Sequence, residues 1–101
     1  TQFQLPYSTP QQVGEEHVFH LFALKSPRRS QLQTYLSQRG IETLIHYPVP
    51  VHQQPCLSHL FSRDTHFVMA EKWAAEELSL PISPVMTDEE AERVVKTLNQ
   101  F

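Results

Sequence analysis

Bulky apolar residues recur along this chain at the spacing of strands in three short runs and at the spacing of helices in three longer ones. Residues 17–24, His-Val-Phe-His-Leu-Phe-Ala-Leu, are short and aromatic, which predicts a strand with Val18, Phe22 and Leu24 on one face. His17 and His20 fall on opposite faces of it, and both read as structural. Ser26 then offers an N-cap, Pro27 a first helical residue and Gly40 a left-handed cap at the far end. Between them Leu32, Tyr35 and Leu36 make a stripe for burial and leave Arg28, Arg29, Gln31 and Gln38 to water. Residues 41–45 predict a second strand with Ile41, Thr43 and Ile45 on one face.

Farther on, Phe67, Ala70, Ala74 and Leu78, flanked by Met69 and Trp73, predict a helix over 67–78 that Thr65 would cap. A short third strand, 78–80, leads to Pro81. The final helix has the strongest local signals: a Thr87/Glu90 capping box, Asp88 and Glu89 against the helix dipole, and a stripe of Ala91, Val94, Val95 and Leu98. Strand, helix, strand, helix, strand, helix is the order of a small α+β layer. It implies a three-stranded sheet with about three helices on one face, the other face being left to solvent or a partner. Residues 1–16 hold two prolines, four glutamines and Gly14 without a period, and read as an extended lead-in or linker to a domain over 17–101.

Composition narrows the partners. A chain of 101 residues is one domain with one core. A net charge of −3 with only eight lysines and arginines argues against an obligate nucleic-acid partner. The Arg28-Arg29 doublet reads as a solvated helix start. No stretch approaches the ~20 apolar residues of a membrane span, and the first residues lack a signal peptide's pattern, so a cytoplasmic location is expected. The single cysteine, Cys56, excludes an internal disulfide. The lack of an initiator methionine suggests a segment of something longer.

Candidate chemistry gathers at 45–52, Ile-His-Tyr-Pro-Val-Pro-Val-His, directly after the second predicted strand. Each proline fixes its own φ and biases the preceding residue toward extended geometry, so His46, Tyr47 and His52 are presented in few directions. Two imidazoles and a phenol can both donate and accept hydrogen bonds, and an aromatic face covers the apolar side of a sugar or pyridine ring. The plainer reading is a structural turn whose polar side chains satisfy nearby backbone. In either case the trio makes a wall and needs a second surface to form a pocket. His52, Cys56 and His59 have a spacing that invites zinc, but Pro55 interrupts the set and no fourth ligand is evident, so no metal is expected. Cys56 has no feature that would make it a nucleophile, and two glycines, Gly14 and Gly40, cannot form a phosphate loop.

Taken together, 17–22, 32–43 and 45–52, followed by Ala70-Glu71-Lys72, Leu78-Ser79-Leu80-Pro81 and Pro84-Val85-Met86-Thr87, resemble the C-terminal small domain of the DegT/StrS-type (DegT/DnrJ) nucleotide-sugar aminotransferases. The resemblance covers residues 17–98 and rests on the combination of His-Tyr-Pro-x-Pro-x-His with Leu-Ser-Leu-Pro. It implies the aminotransferase small-domain fold, with a mainly antiparallel sheet, and a fold-type I parent enzyme dependent on pyridoxal phosphate (PLP). The parent's large domain would be the partner that carries the Schiff-base lysine and most cofactor contacts. Lys25, Lys72 and Lys96 match no part of that lysine segment, so this chain is expected to hold neither catalytic nor cofactor-binding residues. The implied substrate-side residues are His46 and Tyr47, with His52 beside them, and the implied ligand is a nucleotide-sugar. Two stretches depart from the family pattern: 62–68 lacks the usual glycine and proline, and Ser26-Pro27-Arg28-Arg29 replaces an Arg-acidic pair. The expectation is therefore a C-terminal fragment of a sugar aminotransferase that cannot transaminate alone. The alternative is a stand-alone binding or interaction module, for which a homodimer through the open sheet face is one expected partner.

Overall fold

Four leucines that are almost wholly enclosed, Leu24, Leu32, Leu36 and Leu78, bind the sheet to the first helix. The structure is a computed structural model and describes residues 18–101; the predicted lead-in over 1–16 and His17 lie outside the described residues. In chain order the regular elements are β1 (Phe22–Lys25), α1 (Arg29–Ser37), α2 (Val68–Glu76), β2 (Glu77–Leu80) and α3 (Asp88–Asn99). Two 3-10 turns, Val51–Gln53 and Pro55–Leu57, lie in the long connection between α1 and α2. No helix among the described residues is long and apolar enough to cross a membrane.

β1 and β2 pair antiparallel, with Phe22 opposite Leu80, Ala23 opposite Ser79, Leu24 opposite Leu78 and Lys25 opposite Glu77. Strand periodicity therefore divides the sheet into an apolar face of Phe22, Leu24, Leu78 and Leu80 and a polar face of Lys25, Glu77 and Ser79. The apolar face meets Leu32 and Leu36 of α1, Ile41, and Val94 and Leu98 of α3. All four residues of β2 are buried, so the polar face is covered too. The ammonium of Lys25 sits 4.8 Å over the ring of Trp73 from α2 and 4.0 Å from a Glu76 carboxylate oxygen.

The second predicted strand, 41–45, is a single bridge, and the sheet has two strands in place of the three expected. Leu44 exchanges both backbone hydrogen bonds with Ser79, at 3.2 and 2.7 Å. In an antiparallel ladder the next such pairs would be Glu42 with residue 81 and His46 with Glu77. Residue 81 is proline and has no N–H to give. At the other end, a Glu77 carboxylate oxygen takes the His46 N–H at 2.6 Å, in place of the Glu77 carbonyl. Pairing is thus blocked on both sides, although the expected alternation survives in the buried Ile41 and half-buried Thr43 and Ile45.

Other boundaries shift for local reasons. Phe19 has a positive φ of 46°, which interrupts an extended run, and β1 begins only at Phe22 with Val18 86% exposed. Ser26 Oγ accepts the Arg28 N–H at 3.2 Å, closing a turn just before α1 begins at Arg29. The arginine doublet is engaged on both members: Arg29 donates to the Ala74 carbonyl near the end of α2, and Arg28 lies 4.2 Å over the Phe101 ring. Gly40 takes the left-handed φ of 73° that ends α1. Thr65 does not cap α2, because its hydroxyl pairs with Ser62; the helix starts after Phe67 and runs straight into β2 at Glu77. The Thr87/Glu90 capping box forms with both bonds, at 3.2 and 2.9 Å. The buried stripe of α3 is narrower than its sequence pattern, however: Val94 and Leu98 are covered, Ala91 is exposed and Val95 is 55% exposed.

Candidate functional site

Beyond the Leu44 bridge, the long connection between α1 and α2 is tied down at two further points that use its histidines. The first is at His46, whose N–H and Nδ1 both reach β2. The N–H donates to Glu77 Oε2 at 2.6 Å, and Nδ1 lies 2.9 Å from Ser79 Oγ, which in turn donates to Glu77 Oε1 at 2.5 Å. Glu77 and Ser79 are buried, whereas His46 is half-buried. A carboxylate under cover needs donors, and here a backbone N–H and a hydroxyl supply them.

The second tie is at His52, which is only 8% exposed. Its Nε2 lies 2.9 Å from Glu71 Oε1, and its ring stands edge-on to Phe67 at 4.9 Å and to Phe61 at 6.4 Å. Glu71 is a junction: the same carboxylate lies 3.1 Å from His66 Nδ1 and accepts the Phe67 N–H at 3.1 Å. That last bond satisfies an amide at the start of α2, where no side chain of the capping residue does so. The hydrogen bond from His52 is the main influence that holds the Glu71 carboxyl below its ordinary value; the Phe67 N–H and His66 add to it, and partial burial opposes them.

Between the two ties lies a cleft of 430 Å³ lined by His46, Tyr47 and His52 from the connection, Phe61 and Phe67 beside them, and Trp73 from α2. The fold thus brings the three predicted site residues to one cavity, in different roles. His52 is enclosed and committed to Glu71. Tyr47 follows a cis peptide after His46, is 69% exposed, and stands edge-on to the His46 ring at 5.3 Å. With Nδ1 engaged, His46 keeps Nε2 unpartnered among the described residues and not sealed from solvent. The lining is mostly apolar and includes no lysine or arginine.

Among the described residues no three His, Cys, Asp or Glu side chains gather as a metal site. His52 is turned to Glu71, and Cys56 is exposed. Glu71, Glu77 and Ser79 were not candidates from sequence. Their sequence signals are the place of Glu71 and Ser79 in the Ala-Glu-Lys and Leu-Ser-Leu-Pro pieces, and the polar character of Glu77 and Ser79 inside an otherwise leucine-rich strand.

The model of the DegT/DnrJ/EryC1/StrS aminotransferase family matches residues 2–99, and the chain belongs to that family. It is 45% identical over 85 residues to a dTDP-3-amino-3,6-dideoxy-alpha-D-galactopyranose transaminase of Aneurinibacillus thermoaerophilus, an alignment covering 84% of this chain and 23% of that protein. It is 39% identical over 94 residues to a pleiotropic regulatory protein of Geobacillus stearothermophilus, covering 92% of this chain and 25% of that one. The fold superposes with a TM-score of 0.85 on the crystal structure of S. venezuelae DesV in complex with a ketimine intermediate, at 36% identity, over 99% of this chain and 26% of that one. The chain spans about a quarter of the length of the curated relatives it matches.

Proposed function

We propose that this chain is the C-terminal part of a PLP-dependent sugar aminotransferase acting on a keto nucleotide-sugar, and that it supplies one wall of the substrate site without being able to transaminate alone. The observation that carries this reading is the cleft headed by His46 and Tyr47, whose free polar groups are suited to sugar hydroxyls and whose rings are suited to the face of a sugar. His52 supports the wall from behind through Glu71.

The cofactor does not fit this cleft. A phosphate needs cations or a cluster of N–H donors, and the lining has no lysine or arginine. Lys25 is buried against Trp73 and Glu76, Lys72 is exposed on α2, and Lys96 pairs with Glu92 on α3. No chemical step is therefore assigned to PLP here. Tyr47, Val51, Val68 and Met69 are well exposed apolar side chains near this cleft. They suit the large domain that would close it, since an exposed apolar patch favours burial by a second surface.

The test uses the full natural polypeptide that carries these residues. His46→Ala and Tyr47→Phe should each raise KM for the sugar-nucleotide about tenfold, the scale of one lost hydrogen bond, while cofactor absorbance is unchanged. Unchanged KM in both variants would remove the wall from the substrate site. Equal loss of cofactor and substrate would point to damaged folding instead.

A further inference from the structure

The hydrogen bonds behind His46 have a direction. As a carboxylate, Glu77 can only accept, and its two oxygens take different donors: Oε2 the His46 N–H and Oε1 the Ser79 hydroxyl. Having given its one proton to Glu77, Ser79 Oγ has only lone pairs to offer His46 Nδ1, 2.9 Å away. That ring nitrogen must therefore carry a hydrogen. In the neutral ring the other nitrogen, Nε2, then carries the lone pair, and it is the one without a protein partner among the described residues.

We infer that Glu77 and Ser79 are positioning residues that set neutral His46 as its Nδ1–H tautomer, so that Nε2 accepts a hydrogen bond from a ligand hydroxyl or ammonium and rejects a phosphate or carboxylate oxygen. The identity of that donor as a sugar hydroxyl rests on the proposed function; the tautomer does not. Polarity of the lining agrees. With no cation in the cleft, an anionic group brought to Nε2 would meet a lone pair and apolar walls. The arrangement also gives buried Glu77 and Ser79 a purpose beyond the sheet, because a leucine-rich strand could otherwise carry apolar residues at both positions at lower desolvation cost.

Glu77→Gln tests this directly, since it keeps the shape and reverses the chain of donors. The carboxamide atom that faces the His46 N–H must be its oxygen, which leaves its NH2 toward Ser79. Ser79 would then accept from Gln and donate to His46 Nδ1, forcing the proton to Nε2. The measurement is long-range 1H–15N correlation on the full natural polypeptide labelled at histidine, with His46 assigned by its loss in His46→Gln and read on the neutral limb of a pH titration. The parent should show the Nδ1–H form, Glu77→Gln the Nε2–H form, and Ser79→Ala a mixture. Ser79→Ala also decides the question if Glu77→Gln fails to fold. A parent in the Nε2–H form, or a tautomer unmoved by both variants, overturns the inference and leaves the proposed function standing. Binding of dTDP-3-amino-3,6-dideoxy-alpha-D-galactopyranose supplies the second reading, with about tenfold weaker affinity expected in Glu77→Gln. A switched tautomer with unchanged affinity would overturn the ligand half of the inference alone.

Discussion

Nε2 of His52 lies 2.9 Å from Oε1 of Glu71 and fastens the proline-rich connection to the first turn of α2. The family resemblance implies His52 as a substrate-side residue; the structure encloses it and pairs it with a carboxylate in the cleft that His46 and Tyr47 also line.

That fastening gives a pH dependence with a definite sign. The folded Glu71 carboxyl is held below its ordinary value, so the unfolded chain takes up its proton first as pH falls. The stabilisation is fully present above the ordinary carboxylate pKa and is lost as pH drops through the lower folded value. Thermal unfolding of the chain should show Tm falling through this acid range, with the fall less steep in Glu71→Gln. Parallel acid limbs for the two proteins would rule out the contribution.

Leu36 is fully enclosed between α1 and the sheet. Leu36→Ala should destabilise the chain by about 2–5 kcal/mol, the range for a leucine truncated in a packed core. In urea the midpoint should fall while the slope stays constant.

Gly40 requires its lack of a side chain for backbone reasons alone. A Cβ there would meet only Arg93 Nη2 at 3.5 Å, an ordinary contact, yet φ is 73°. Gly40→Ala should therefore cost about 1–2 kcal/mol, the penalty of the left-handed region for an L-residue. A stability unchanged within the error of chemical denaturation would show that the turn relaxes out of that region.

Legibility in the sequence followed the distance between interacting groups. α3 is legible because Thr87 and Glu90 are three residues apart and complete their own box. β2 is legible because Leu78 and Leu80 alternate with polar neighbours before Pro81. The second strand is expected from the alternation in 41–45, but whether it pairs is decided by Pro81 and by a Glu77 carboxylate 31 residues beyond His46. The site divides in the same way. Tyr47 and the two histidines stand out locally because prolines surround them, whereas Glu71, Glu77 and Ser79 acquire their roles only when the fold carries them to those histidines.

No residue separates the end of α2 from the start of β2. Glu71 and Ser79, the two anchors of the connection, consequently lie on continuous backbone that changes from helix to strand at Glu77. The distance between the two fixed points is therefore set by that single helix-to-strand joint, and a change of angle there is what would draw the two histidines apart or together.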